Sequence, residues 1–346
     1  MKILILLLFL STLATPAAAL EIEAPPVPEA GREWMPDHTD SLSGGLAQLI
    51  EKVLLQLRPD LQEASRISLG ILATAMLVSI LQSAGSGIKR PAEIAGTAAI
   101  ASLLLLGTNS MIRLAADTVQ ELMEYGKLLL PVMTAALAAQ GGVTGSAALY
   151  GGTAFFSAIA QNVMGQFLVP GIYLYLVLCT GSCVTGEDLL KRLGALLKSI
   201  LCWFLKILMM VFTTYLGLTG VVSGTTDAAA LKAAKVTMSS FVPVVGGVLA
   251  DASEAVMVSA GLMKNAAGIY GIFAVLALFL HPFLMISVHY LVLKLTAGIC
   301  AVFSTGRLTE VIEAFSGALG ILLGMTASAS IMVLISTVCF LKGTMS

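Results

Sequence analysis

The chain has 346 residues, 58% of them hydrophobic and only 11% charged, with a formal net charge of −1. Soluble domains carry about a quarter charged residues, so this composition excludes a dispersed water-soluble globule. The near-neutral charge and 6% aromatic content give no case for nucleic-acid binding, and the mean hydropathy of +0.95 makes lipid the solvent for most of the chain.

Lys2 and the amino terminus precede an apolar run, Ile3 to Leu13, and then the small residues Ala17-Ala18-Ala19. That order predicts a secretory signal over residues 1–19, cleaved after Ala19. The alternative is a retained first anchor. Residues 20–41 hold Pro25, Pro26 and Pro28 with Glu21, Glu23, Glu29, Glu33 and Asp37, the composition of a disordered or extended extracytoplasmic tether. Residues 42–66 form an amphipathic surface helix. Leu46, Leu49, Ile50, Val53, Leu54 and Leu57 recur at three and four, and Arg58-Pro59 ends the pattern. It lies on the membrane or against a partner.

Residues 67–346 read as a multi-pass membrane domain. Ile67 to Ile88 is the first span and Ile94 to Ile112 the second, with Lys89-Arg90 between them on the cytoplasmic side. Arg113 to Lys127 carries Asp117, Glu121 and Glu124 on a helical period and predicts a second surface helix. From Leu128 to Gly186 there are 59 residues without Asp, Glu, Lys or Arg. Pro131, Pro170 and nine glycines in that stretch exclude one straight rod. A re-entrant or half helix is expected from Pro131 to Gly141-Gly142, then spanning material over Ala147 to Met164 and Phe167 to Val184. The basic excess among Glu187, Asp188, Lys191, Arg192 and Lys198 returns the chain to the cytoplasm.

Lys191 to Lys206 is amphipathic and basic, and Ile207 to Val222 is apolar. Thr225-Thr226-Asp227 is a helix N-cap signal. Phe241 to Ala250 contains Pro243 and Gly246-Gly247, with Asp251 and Glu254 following on one helical face. Gly268 to Leu293 is a span containing His281-Pro282 and His289. Arg307, Glu310 and Glu313 make a polar connection, and Phe315 to Leu341 is the last span. The fold class is therefore all-α: a polytopic helical membrane protein with about six full transmembrane helices plus surface and re-entrant or broken helices.

The candidate chemistry is sparse. His281 and His289 are eight apart on one helix, the spacing of a proton relay or metal pair, or of two packed rings. Asp251 and Glu254 sit between uncharged stretches, either intramembrane and functional or at the interface, with Lys264-Asn265 beyond. Cys179, Cys183, Cys202, Cys300 and Cys339 all lie in apolar sequence and read as inert buried thiols. No phosphate-binding loop, H-E-x-x-H or G-x-S-x-G is present, so neither an enzyme nor a cofactor is expected. The Pro131 and Pro243 segments each follow a charged helix and precede a glycine pair. That is either chance or the mark of paired interrupted helices in a two-halved transporter.

One segment is more specific. Lys232-Ala-Ala-Lys235 leads into Ser240-Phe-Val-Pro-Val-Val-Gly-Gly-Val-Leu-Ala-Asp-Ala-Ser-Glu254 and then Leu262-Met-Lys-Asn-Ala-Ala-Gly268. Together with the signal, the amphipathic helix and Leu-Leu-Leu-Pro131, this resembles the stage III sporulation protein AE family of endospore-forming bacteria, from about residue 42 to the end. The resemblance implies a multi-pass protein of the mother-cell membrane around the forespore. It implies partners: other membrane subunits and a separate ATPase of a trans-envelope, secretion-like channel complex that supports late forespore gene expression. It supplies no catalytic residues. Pro131, Pro243, Gly246, Gly247, Asp251, Glu254, Lys264 and Asn265 are the expected pore or subunit-contact positions. The alternative is a stand-alone secondary transporter or permease.

Overall fold

The computed structural model describes residues 24–36, 42–83, 87–139, 143–241, 246–303 and 306–342; of 42–43, 139, 143–146, 148–149, 217–241, 246–266 and 342 it describes only the backbone. Every regular element among them is helical. A short helix α1 (Glu29–Arg32) precedes α2 (Leu42–Ser83) and α3 (Lys89–Ala139). Next come α4 (Val143–Asn162), a π-helical segment (Val163–Leu168) and α5 (Val169–Thr185). The chain ends in α6 (Asp188–Phe241), α7 (Gly246–Phe303) and α8 (Gly306–Lys342). Among the described residues, six helical stretches are long and apolar enough to cross a membrane: 44–83, 89–138, 150–185, 188–216, 267–303 and 306–341.

Helix α8 is the axis of the bundle. It buries small and branched residues on several sides, among them Ala318, Leu319, Leu322, Met325, Ala329 and Met332. Several of its hydroxyls bond back along the helix: Ser336 Oγ donates to Met332 O (2.6 Å), Thr337 Oγ1 to Val333 O (2.9 Å) and Ser328 Oγ to Gly324 O (2.7 Å), whereas the buried hydroxyls of Thr309, Ser316 and Ser330 have no hydrogen-bond partner among the described residues. Small residues and internally bonded hydroxyls let helices approach where no hydrophobic force distinguishes neighbour from lipid. Helix α3 runs beside α8 in the same direction. Glu93 faces Arg307 at one end (4.0 Å), and Val333 sits over Gly126 farther along. Helix α7 returns antiparallel, with Leu341 over Gly268 and Leu129 of α3 over Gly271.

Several expected boundaries are absent. The amphipathic stretch at 42–57 does not end at Pro59: it continues into the first span as one 42-residue helix. Arg113 to Lys127 is no separate surface helix but the middle of the 51-residue α3, and Pro131 lies inside that helix rather than at a break. A proline removes one intrahelical bond and crowds the carbonyl four residues back. At Pro131 that loss is outweighed by the buried contacts of Leu129, Leu130, Met133, Ala136 and Leu137 around it. The two spans expected at 147–164 and 167–184 form one stretch, because the π segment passes the helix on without a turn. Residues 24–36 are not a free tether either. Val27 and Trp34 are buried, Arg32 Nε donates to Val27 O (3.1 Å), and Lys52 of α2 donates to Met35 O (3.0 Å).

Many exposed apolar side chains lie in one half of the bundle, while Leu54, Leu55, Leu128 and Phe155 are exposed in the other. Leu69, Met76 and Ile80 of α2, Leu103 and Leu106 of α3, and Leu174 and Val177 of α5 stand outward, as do Leu196 and Trp203 of α6 and Leu295 and Val302 of α7. They belong to the half of the bundle that ends at Arg307 and Lys89, an apolar outer surface suited to lipid. A bilayer core is about 30 Å thick, whereas 51 residues of α3 extend about 76 Å. The far half of α3 therefore projects past that apolar surface, and its outer face is charged.

Candidate functional site

The sequence-flagged positions do not converge in the described part of the molecule. Pro131 is exposed on α3. Pro243 lies outside the described residues, and so do the side chains of Gly246, Gly247, Asp251, Glu254, Lys264 and Asn265, whose backbone belongs to α7. The two histidines part company. His289 is buried, and its Nδ1 lies 3.0 Å from Met285 O. His281 stacks on Trp34, ring centroids 4.4 Å apart and planes 12° from parallel, with its Nε2 3.7 Å from Asp60 Oδ2. They are two packed rings, and no cluster of metal-ligating side chains occurs among the described residues.

Charged groups converge instead between α5, α6, α7 and α8. Helix α5 ends on Gly186, whose φ of 79° is left-handed and whose N–H donates to Ser182 O (2.7 Å). This glycine cap turns the chain directly into α6, where Lys191, Ala195 and Lys198 share one face at the i, i+4, i+7 spacing. Helix α8 opposes it with Glu310 and Glu313, and Lys191 Nζ meets Glu310 Oε1 at 2.7 Å. Lys198 reaches farther in, where α8 offers Gly317. A Cβ at that position would stand 2.7 Å from Lys198 Nζ and 2.9 Å from Tyr175 Oη, so the missing side chain makes room for the ammonium. Lys294 of α7 closes the other wall. Tyr175, Cys179, Ser182 and Cys183 complete a cavity of about 310 Å³. Three lysines and two glutamates thus line an opening into an otherwise apolar bundle.

The sequence marks Lys191 and Lys198 as part of a basic amphipathic stretch and Glu310 and Glu313 as a polar connection, but does not bring the two together. The missed signal is Lys294, the only Asp, Glu, Lys or Arg between residues 267 and 303. A lone charge in a span of that length needs a polar neighbour.

A second polar surface lies on the far half of α3. Asn109, Arg113, Asp117, Gln120, Glu124 and Lys127 follow each other at four, four, three, four and three residues, and all six are exposed. Asn109 Oδ1 accepts from Tyr173 Oη (2.7 Å), Gln120 Nε2 donates to Glu124 Oε1 (2.9 Å), and Lys127 Nζ donates to Gln161 Oε1 (2.6 Å). Where the π segment widens the helix, Gln120, Gln161, Asn162, Gly165 and Gln166 border a polar hollow of about 390 Å³. π segments inside α-helices are frequent at functional positions.

The family model described as stage III sporulation protein AE matches residues 34–343. The chain belongs to the stage III sporulation protein AE family. The match begins at Trp34, the ring stacked on His281, and takes in the whole bundle. A similar curated protein is the stage III sporulation protein AE of Bacillus subtilis (strain 168), 24% identical over 237 residues. That alignment covers 68% of this chain and 59% of the relative, so the chain spans about 59% of the length of the protein it resembles. No solved structure matches. This stage III sporulation protein AE family member is a multi-pass sporulation membrane protein with six helices able to span.

Proposed function

We propose that the chain is an integral subunit on the mother-cell side of a sporulation trans-envelope channel or secretion-like complex. In this reading it is needed for late forespore gene expression and spore development. Its partners are other membrane subunits of the complex and a separate ATPase that supplies the energy. The role is to build and line the assembly within the membrane and next to it; no reaction is assigned to its side chains.

Membership of the sporulation family carries this reading, and the charged face of α3 supports it. Six polar or charged residues stand exposed in register beyond the apolar outer surface. A face of that kind suits contact with other polypeptides more than contact with lipid. The rival, a stand-alone transporter of two related halves, leans on paired interrupted helices. It loses support because α3 runs unbroken through Pro131.

The test is a variant with Arg113, Asp117, Glu124 and Lys127 all replaced by Ala, expressed from the native locus. It should reach the membrane at wild-type level, because none of the four is buried. It should fail to support late forespore gene expression and should no longer co-purify with the other membrane subunits. Wild-type sporulation with this variant would remove α3 from the contact surface.

A further inference from the structure

The cleft holds more positive charge than its own glutamates neutralise, at the end of the bundle that carries Lys89, Arg90, Arg192 and Arg307. We propose that it binds the phosphate of an anionic phospholipid headgroup, with Lys198 and Lys294 as the two cations that meet it.

Lys191 is already matched by Glu310 at 2.7 Å. Neither Lys198 nor Lys294 has an ion-pair partner among the described residues, and Glu313, which shares the cleft, pairs with neither. With three lysines against two glutamates the cleft carries one net positive charge, which one phosphodiester monoanion balances. Lys198 is half-buried, its ammonium lodged beside Tyr175 Oη in the space left by Gly317. An ammonium in such a place is costly without an anion. The cavity of about 310 Å³ admits a phosphate with its glycerol.

The surroundings favour a lipid over a soluble anion. On α7, Leu291 and Leu295 flank Lys294 and are more than half exposed; on α6, Leu193 and Leu196 stand outward beside the cleft. Acyl chains lying along these leucines would bring a headgroup to the lysines. Basic pockets between helices at this depth are recurrent headgroup sites. The site is independent of the sporulation assembly and rests only on the membrane placement of the bundle.

The test uses the full-length protein purified in a neutral detergent and follows its thermal unfolding midpoint. Phosphatidylglycerol, phosphatidylcholine and inorganic phosphate are titrated separately. Phosphatidylglycerol is expected to raise the midpoint saturably, while phosphatidylcholine and inorganic phosphate leave it unmoved. The double variant Lys198→Gln, Lys294→Gln should weaken the phosphatidylglycerol response at least tenfold in concentration. Lys294→Gln alone, at an exposed position that folding tolerates, should weaken it several-fold. Lys206→Gln, on α6 but outside the cleft, should respond as the wild type does. Equal responses to the two lipids, or an unchanged Lys294→Gln curve, would overturn the proposal. An inorganic-phosphate shift as large as that of phosphatidylglycerol would overturn the lipid source and make the cleft a soluble-anion site.

Discussion

Trp34 lies flat on His281 and fastens the N-terminal segment to the bundle. The stack buries an indole that is only 8% exposed, against Leu49, Val53 and Ala277. Truncating a buried Trp to Ala removes its apolar contacts and leaves a cavity, a loss of about 3–5 kcal/mol at a fully packed site. Trp34→Ala should therefore lower the thermal midpoint and expose residues 24–36 to limited proteolysis, while Trp203→Ala, on the lipid-facing side of α6, leaves that segment protected. Proteolysis of residues 24–36 at the wild-type rate in Trp34→Ala would show that the stack does not hold it. At this scale the sequence was partly legible. The spacing of His281 and His289 suggested either a pair or packing, and packing is what each ring found, because their partners come from α1's flank and from their own helix. The lysine cleft was legible only in Lys294, a lone charge in its span; its assembly was not. Its charges lie on three helices far apart in the chain, and only the fold brings Lys294 opposite Lys191 and Lys198.

The helices are longer than their apolar stretches, and this is where sequence reading and structure differ most. Pro59, Pro131 and Pro282 each lie inside a helix. Each forfeits one backbone bond; around Pro131 the buried side chains of Leu129, Leu130 and Met133 offset that loss, whereas the residues next to Pro59 are mostly exposed. Local propensity treats a proline as a stop because it does not see the neighbouring helix. The helical period itself was readable: the charged positions of Arg113 to Lys127 fall on one face as expected. What that period could not reveal is that the opposite face, with Leu122, Met123 and Tyr125, is buried in the bundle rather than laid on lipid headgroups. The continuity of α3 is measurable. Spin labels at Ser102 and Leu128 in a cysteine-free background should be separated by about 39 Å along a straight helix at 1.5 Å per residue. A helix turning flat at Arg113 would bring them to about 28 Å by the same rise, and that value would refute the continuous α3.

At the scale of the whole molecule, the described residues form a helical bundle with six stretches long and apolar enough to cross a membrane, an apolar outer surface toward one end and a charged face on the far half of α3. The number of spans and the all-helical class were legible from hydropathy, since lipid demands long uncharged helices and little else imitates them. The division into apolar surface and charged face was not, because it depends on which faces of α2 and α3 the other helices cover. Family membership places this architecture in sporulation, and the reading advanced above makes it one part of a larger assembly. The most direct measurement is a clean deletion of the gene in the source organism, scored for vegetative growth, engulfment and a late forespore-specific reporter. Normal growth and engulfment with a silent reporter and shrunken forespores is the predicted result. Impaired solute uptake or growth in vegetative cells, with intact spores and an active reporter, would contradict it and point to a stand-alone transporter.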